Sequence, residues 1–69
     1  MKWNEARKIY PNKWILLEAI EAYSEEGKRI VEELSIINVY DQGKEALKEY
    51  ADKHKKDKRR EMYVYNTKM

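Results

Sequence analysis

The chain has no cysteine and no phenylalanine, and only one proline, one histidine and two glycines in 69 residues. Each shortage removes a class of explanation. Without cysteine there are no disulfide staples, no thiolate metal sites and no thiol nucleophile. The single histidine, His54, rules out a multi-histidine metal centre within one chain. Gly27 and Gly43 are too few for a glycine-rich phosphate loop. Ser24 and Ser35 are the only serines, and neither sits in anything like a nucleophile elbow. No apolar run approaches the roughly 20 residues that span a bilayer. Residues 1–8 are not followed by the apolar stretch of a signal peptide. The expectation is a soluble cytoplasmic protein, not an enzyme, with no cofactor, no metal and no membrane contact.

What the chain has is charge. Charged residues make up 41%, yet the net charge is only +2. Residues 1–42 carry 6 basic and 8 acidic side chains, and residues 43–69 carry 9 and 5. The second half is therefore mildly basic, which allows an acidic partner without demanding one. Hydrophobic residues make up 42%, with six tyrosines and two tryptophans, enough for a folded chain. The length fits one small domain, residues 1–69, which buries only about 60% of its unfolded surface.

The most apolar stretch, residues 13–23, follows Pro11-Asn12 and reads as the central strand of a small sheet. Leu, Glu and Ala favour helix there, and a helical pair over 13–37 is the alternative. Two features favour strands. Residues 24–27 end in glycine and suit a hairpin connection. The stretch after them contains Ile30, Val31, Ile36, Ile37 and Val39, rich in β-branched side chains. As a strand, Trp14, Leu16, Ile20 and Ala22 face one way and Ile15, Leu17 and Ala19 the other.

Residues 3–10 predict a short helix capped by Asn4 and stopped by Pro11. Residues 44–56 predict a longer one, with Ala46, Leu47, Tyr50, Ala51 and His54 as its apolar stripe. Asp41 or Gln42 stands where its cap is needed. Residues 61–67 read as a last strand. The order is α-β-β-α-β, an α+β fold with a three-stranded antiparallel sheet in order 2-1-3. The main helix covers one face. The short helix or a second subunit must cover the other.

Three groups of side chains bear on function. Trp3, Tyr10, Trp14, Tyr63 and Tyr65 are interface candidates, because aromatics dominate binding hot spots, and the same residues also suit a small core. Lys53, Lys55, Lys56, Lys58, Arg59 and Arg60 form the densest basic run. They suit phosphate contacts with nucleic acid, with Tyr63 and Tyr65 as stacking platforms, or simply a solvated helix end. Glu18, Glu21, Glu32 and Glu33 cluster near the strands, where a hard cation or cross-strand cations would meet them.

Tyr10-Pro11-Asn12-Lys13-Trp14-Ile15, the later Gly43-Lys44-Glu45-Ala46-Leu47 and the closing Tyr63-Val64-Tyr65 before Asn66-Thr67 together resemble a family. It is a family of short bacterial proteins, common in Firmicutes, with a Tyr-Pro-x-Lys-Trp start, a Glu-Ala-Leu helix and a Tyr-Val-Tyr end. The resemblance covers nearly the whole chain and implies a strand at Trp14. It carries over no activity and no catalytic residues. The function expected is a protein-interaction module or homodimer using the sheet face or an edge. The alternative is weak nucleic-acid binding through residues 53–60.

Overall fold

The computed structural model describes residues 1–68. They form α1 (Trp3–Ile9), β1 (Trp14–Glu25), β2 (Lys28–Tyr40), α2 (Gly43–Lys56) and β3 (Met62–Asn66). The three strands make one antiparallel sheet in the order β2-β1-β3. The α+β class, the element order and the strand order are those expected from the sequence. Residues 13–37 are a hairpin and not a helical pair, so β-branched content and turn chemistry outweigh helix propensity here.

β1 is central because Ile15, Leu16 and Leu17 have no polar neighbour between them. Side chains alternate across a strand, so such a run must be covered on both faces. All three are buried. Ile15 and Leu17 pack with Ala6 and Leu34, and with the partly buried Trp3, Tyr10, Val31, Ile36 and Tyr63. Leu16 points to the opposite layer, opposite Val64 of β3.

The hairpin turn is Glu26-Gly27, between the paired Glu25 and Lys28. Both turn residues have positive φ, 50° and 75°, which is the pattern of a type I′ turn. The β1–β2 register then slips at three places, where Ile37 and Glu32 on β2 and Ile20 on β1 are the extra residues. These bulges decide which side chains meet. Val31 is an odd position while Leu34 and Ile36 are even, and the extra Glu32 brings all three to the face of Leu17. On β1 the extra Ile20 moves Ala22 to that same face, opposite Val31. Ala22 therefore does not share a face with Trp14 and Leu16, as strict alternation would have it.

α2 approaches the sheet through small residues. The Trp14 ring lies so close to Gly43 that a Cβ there would sit 3.0 Å from Trp14 Cε2. Ala46 one turn on is fully buried. Tyr50 and His54 follow, their rings stacked 5.6 Å apart. Leu47 and Ala51, expected in the stripe, are exposed. Close approach at Gly43 and Ala46 rotates the helix and turns Leu47 outward. Gln42 is the α2 N-cap residue and makes no side-chain cap bond. Asp41 instead pairs with Lys13.

α1 begins one residue earlier than its expected cap. Lys2 precedes the helix, and its N–H donates to Glu5 Oε1 at 3.3 Å. Met1 supplies the reason. The Leu34 N–H donates to the Met1 carbonyl at 2.8 Å, and the Met1 amino group meets Glu33 at 2.5 Å. The N-terminus is thus tied to the outer edge of β2. At the other end Thr67 is buried. Its Oγ1 accepts the Lys13 N–H at 2.9 Å and donates to the Tyr10 carbonyl at 2.7 Å. It closes the turn that leads from α1 into β1.

Among the described residues no helix is long and apolar enough to cross a membrane.

Gly43→Val places new atoms against Trp14, and overpacking costs about 1–3 kcal/mol. The expected result in urea unfolding is a lower midpoint with an unchanged slope, although valine is the better helix former. Thr67→Val keeps the shape but leaves the partly buried Lys13 N–H without its acceptor, for an expected loss of about 1 kcal/mol by the same measurement.

Candidate protein-binding face

The sheet face under α1 is only partly covered. A seven-residue helix spans about 10 Å, while β1 and β2 run on for 12 and 13 residues. What remains is a hollow of about 500 Å³, lined by Trp3, Leu17, Arg29, Val31, Leu34, Tyr65 and Asn66. Its lining comes from every element on this side. Trp3 hangs from the first turn of α1. Leu17 forms part of the floor, Val31 and Leu34 one wall, and Tyr65 of β3 the other.

The aromatic wall is ordered by its own contacts. The Trp3 ring meets Tyr65 edge-on, 5.7 Å between centroids at 62°. Tyr63 and Tyr65 stack at 5.9 Å. Edge-to-face and offset pairs at such distances are the favoured aromatic geometries. Tyr65 nevertheless stays 47% exposed.

A polar bridge closes one end. Arg29 donates from Nε and Nη2 to the two carboxylate oxygens of Glu61, each at 2.8 Å. The Tyr63 hydroxyl donates to Glu61 Oε2 at 2.7 Å, and Arg29 Nη1 to Ser24 Oγ at 3.3 Å. Arg29 stands on β2 and Glu61 leads into β3, with β1 between them. The bridge forms because the β1 side chains on this face between the two residues are the small Ala19 and Ala22.

Charge follows geometry. The Arg29 guanidinium, helped by the Tyr63 hydroxyl, holds the Glu61 carboxyl down at about 2. Donation to Glu61 pushes the Tyr63 phenol up. Arg60 lowers Glu18 in the same way, at 2.7 Å. The Met1 amino group lowers Glu33.

The five aromatic candidates split between two faces. Trp3, Tyr10, Tyr63 and Tyr65 lie on the α1 side. Trp14 lies on the other, half-buried beneath Gly43 of α2. The basic run is partly engaged. Lys53 pairs with Glu49 at 3.7 Å, Arg59 with Asp57 at 3.3 Å and Arg60 with Glu18. Among the described residues Lys55, Lys56 and Lys58 have no ion-pair partner. Tyr63 and Tyr65 point to the α1 face, and the Tyr63 hydroxyl is committed to Glu61. Of the four clustered carboxylates, Glu18 is held by Arg60, and Glu33 by Met1 and Lys2. Glu21 and Glu32 stay exposed.

Arg29, Glu61 and the Val31–Leu34 wall were not visible as site residues in the sequence. Their meeting depends on the bulge at Glu32 and on β3 returning beside β1. No local pattern records either.

The pH dependence follows from the lowered carboxylates. A folded pKa below the unfolded value stabilises the fold above the unfolded pKa, and the gain is lost as pH falls toward the folded one. For Glu61 the window runs from about 4.5 down to about 2. Partial exposure keeps the contribution near about 1 kcal/mol. Unfolding free energy should fall across that window, and Glu61→Gln should flatten the fall when stability is measured by denaturant titration at each pH.

Comparison with protein-family models, with curated proteins and with solved structures returns no match to this chain.

Proposed function

We propose that this chain is a cytoplasmic protein-interaction module, not an enzyme, that self-associates through the α1-side face of its sheet. The observation that carries this reading is the apolar hollow walled by Trp3 and Tyr65. Aromatic side chains held rigid by their neighbours and still open to water are the usual anchors of protein interfaces. Surface area supports it. The folded chain exposes 5179 Å², against about 4,600 Å² for a folded monomer of its 8.4 kDa. An interface of ordinary size removes about 800 Å² from each partner. The resemblance to short bacterial proteins adds a bacterial setting to this reading and no activity. Nucleic-acid binding through residues 53–60 has less support, because three of its six cations are engaged by carboxylates.

The test is the solution mass over a concentration series by light scattering. A dimer with a dissociation constant in the micromolar range is expected. Tyr65→Asp should weaken it at least tenfold, about 1.4 kcal/mol, with circular dichroism unchanged. A chain that stays monomeric to about 1 mM overturns the proposal.

A further inference from the structure

The ladder between β1 and β3 ends at Glu18, opposite Met62. One more backbone bond follows, from the Ala19 N–H to the Glu61 carbonyl at 2.8 Å. Beyond it, Ile20 is the unpaired bulge residue and residues 21–25 pair only with β2. In an antiparallel ladder alternate residues aim their N–H and C=O groups to opposite sides. About half of the backbone groups of this segment therefore face an empty slot in line with β3. The bulged Ile20, 60% exposed, marks where β3 stops.

The slot has a charge as well as a shape. Glu21, Tyr23 and Glu25 alternate along one face of the strand, because no extra residue interrupts β1 between them. All three are exposed. Glu21, Glu25, Glu26 and Glu32 have no ion-pair partner among the described residues, and Lys28 is the one cation of the arm in the same condition. Arg29 is already neutralised by Glu61. A second copy added to this edge would bring Glu21 and Glu25 against their own equivalents, and like charges across a ladder are destabilising. An extended segment with basic, apolar and basic residues at alternate positions meets the opposite condition at each place.

We propose that the free β1 edge at residues 20–25 binds an extended, lysine- or arginine-bearing peptide segment as a fourth strand, with Glu21 and Glu25 flanking an apolar contact on Tyr23. Main-chain hydrogen bonds supply the affinity and the alternate side chains supply the selection, as in strand addition generally. The edge is separate from the aromatic hollow and uses none of its side chains.

The experiment is a titration of the whole chain with a synthetic peptide carrying Lys-Val-Lys-Val-Lys at its centre, followed by amide chemical shifts and hydrogen exchange. Binding should have a dissociation constant on the order of 100 µM. It should protect amides within residues 20–25 and weaken as salt is raised. Glu21→Gln with Glu25→Gln should weaken it at least tenfold while leaving the solution mass of the free chain unchanged. The same peptide N-methylated on alternate residues keeps its charge and loses its donors, so it should not bind. The Tyr65→Asp variant, with its weakened self-association, should bind the peptide as well as the wild type does. That result separates this edge from the self-association face. Equal binding of the N-methylated peptide, shifts confined to the hollow, or no binding at all would overturn the proposal. In the last case the glutamates only guard an open edge against aggregation. Concentration-dependent protection of residues 20–25 without peptide would overturn it too, in favour of a second copy.

Discussion

Burial of Ile15, Leu16 and Leu17 is the constraint from which the rest of the structure follows. Three consecutive apolar residues in a strand cannot be satisfied by one layer. Each fully buried side chain of this kind contributes roughly 1.5–3 kcal/mol, and a 69-residue domain has few others to draw on. The sheet must be covered above and below, and the strand must be paired on both edges. That demand sets β1 between β2 and β3 and puts the two helices on opposite faces.

The two layers meet the demand unequally. α2 closes on the sheet through Gly43 and Ala46, where small side chains let the helix axis approach the Trp14 ring. α1 is half as long, so its contribution is one buried alanine and the Trp3 ring at the margin. The asymmetry creates the hollow. It also explains the ties at the chain ends, since Met1 on β2 and Thr67 beneath Tyr10 hold a helix too short to hold itself.

The strands are longer than their neighbours, and function enters through that mismatch. β3 pairs with five residues of a twelve-residue strand, leaving an arm that is a hairpin with no strand on either edge and two thinly covered faces. Bulges keep such an arm twisted and in register, and carboxylates along the edge keep it from pairing with its own kind. The Arg29–Glu61 bridge fastens the root of the arm to β3 over Ala19 and Ala22.

By itself the sequence determined the elements and their order. The apolar run after Pro11, the glycine-ended turn, the β-branched second strand and the amphipathic helix after Gly43 are local patterns, and local propensity with hydrophobic period reads them. The sheet order was also legible, because the most apolar strand takes the middle. The aromatic candidates were named as residues but not sorted between faces. Only the tertiary structure put Trp14 under α2 and Trp3 with Tyr65 across the sheet. It alone turned Leu47 outward, brought Arg29 to Glu61 and left the edge at residues 20–25 without a neighbour. The physical reason is that strand alternation has a period of two, so a single bulge residue such as Glu32 exchanges the faces of everything beyond it. A bulge forms in response to a partner strand, which a pattern read along one strand does not contain.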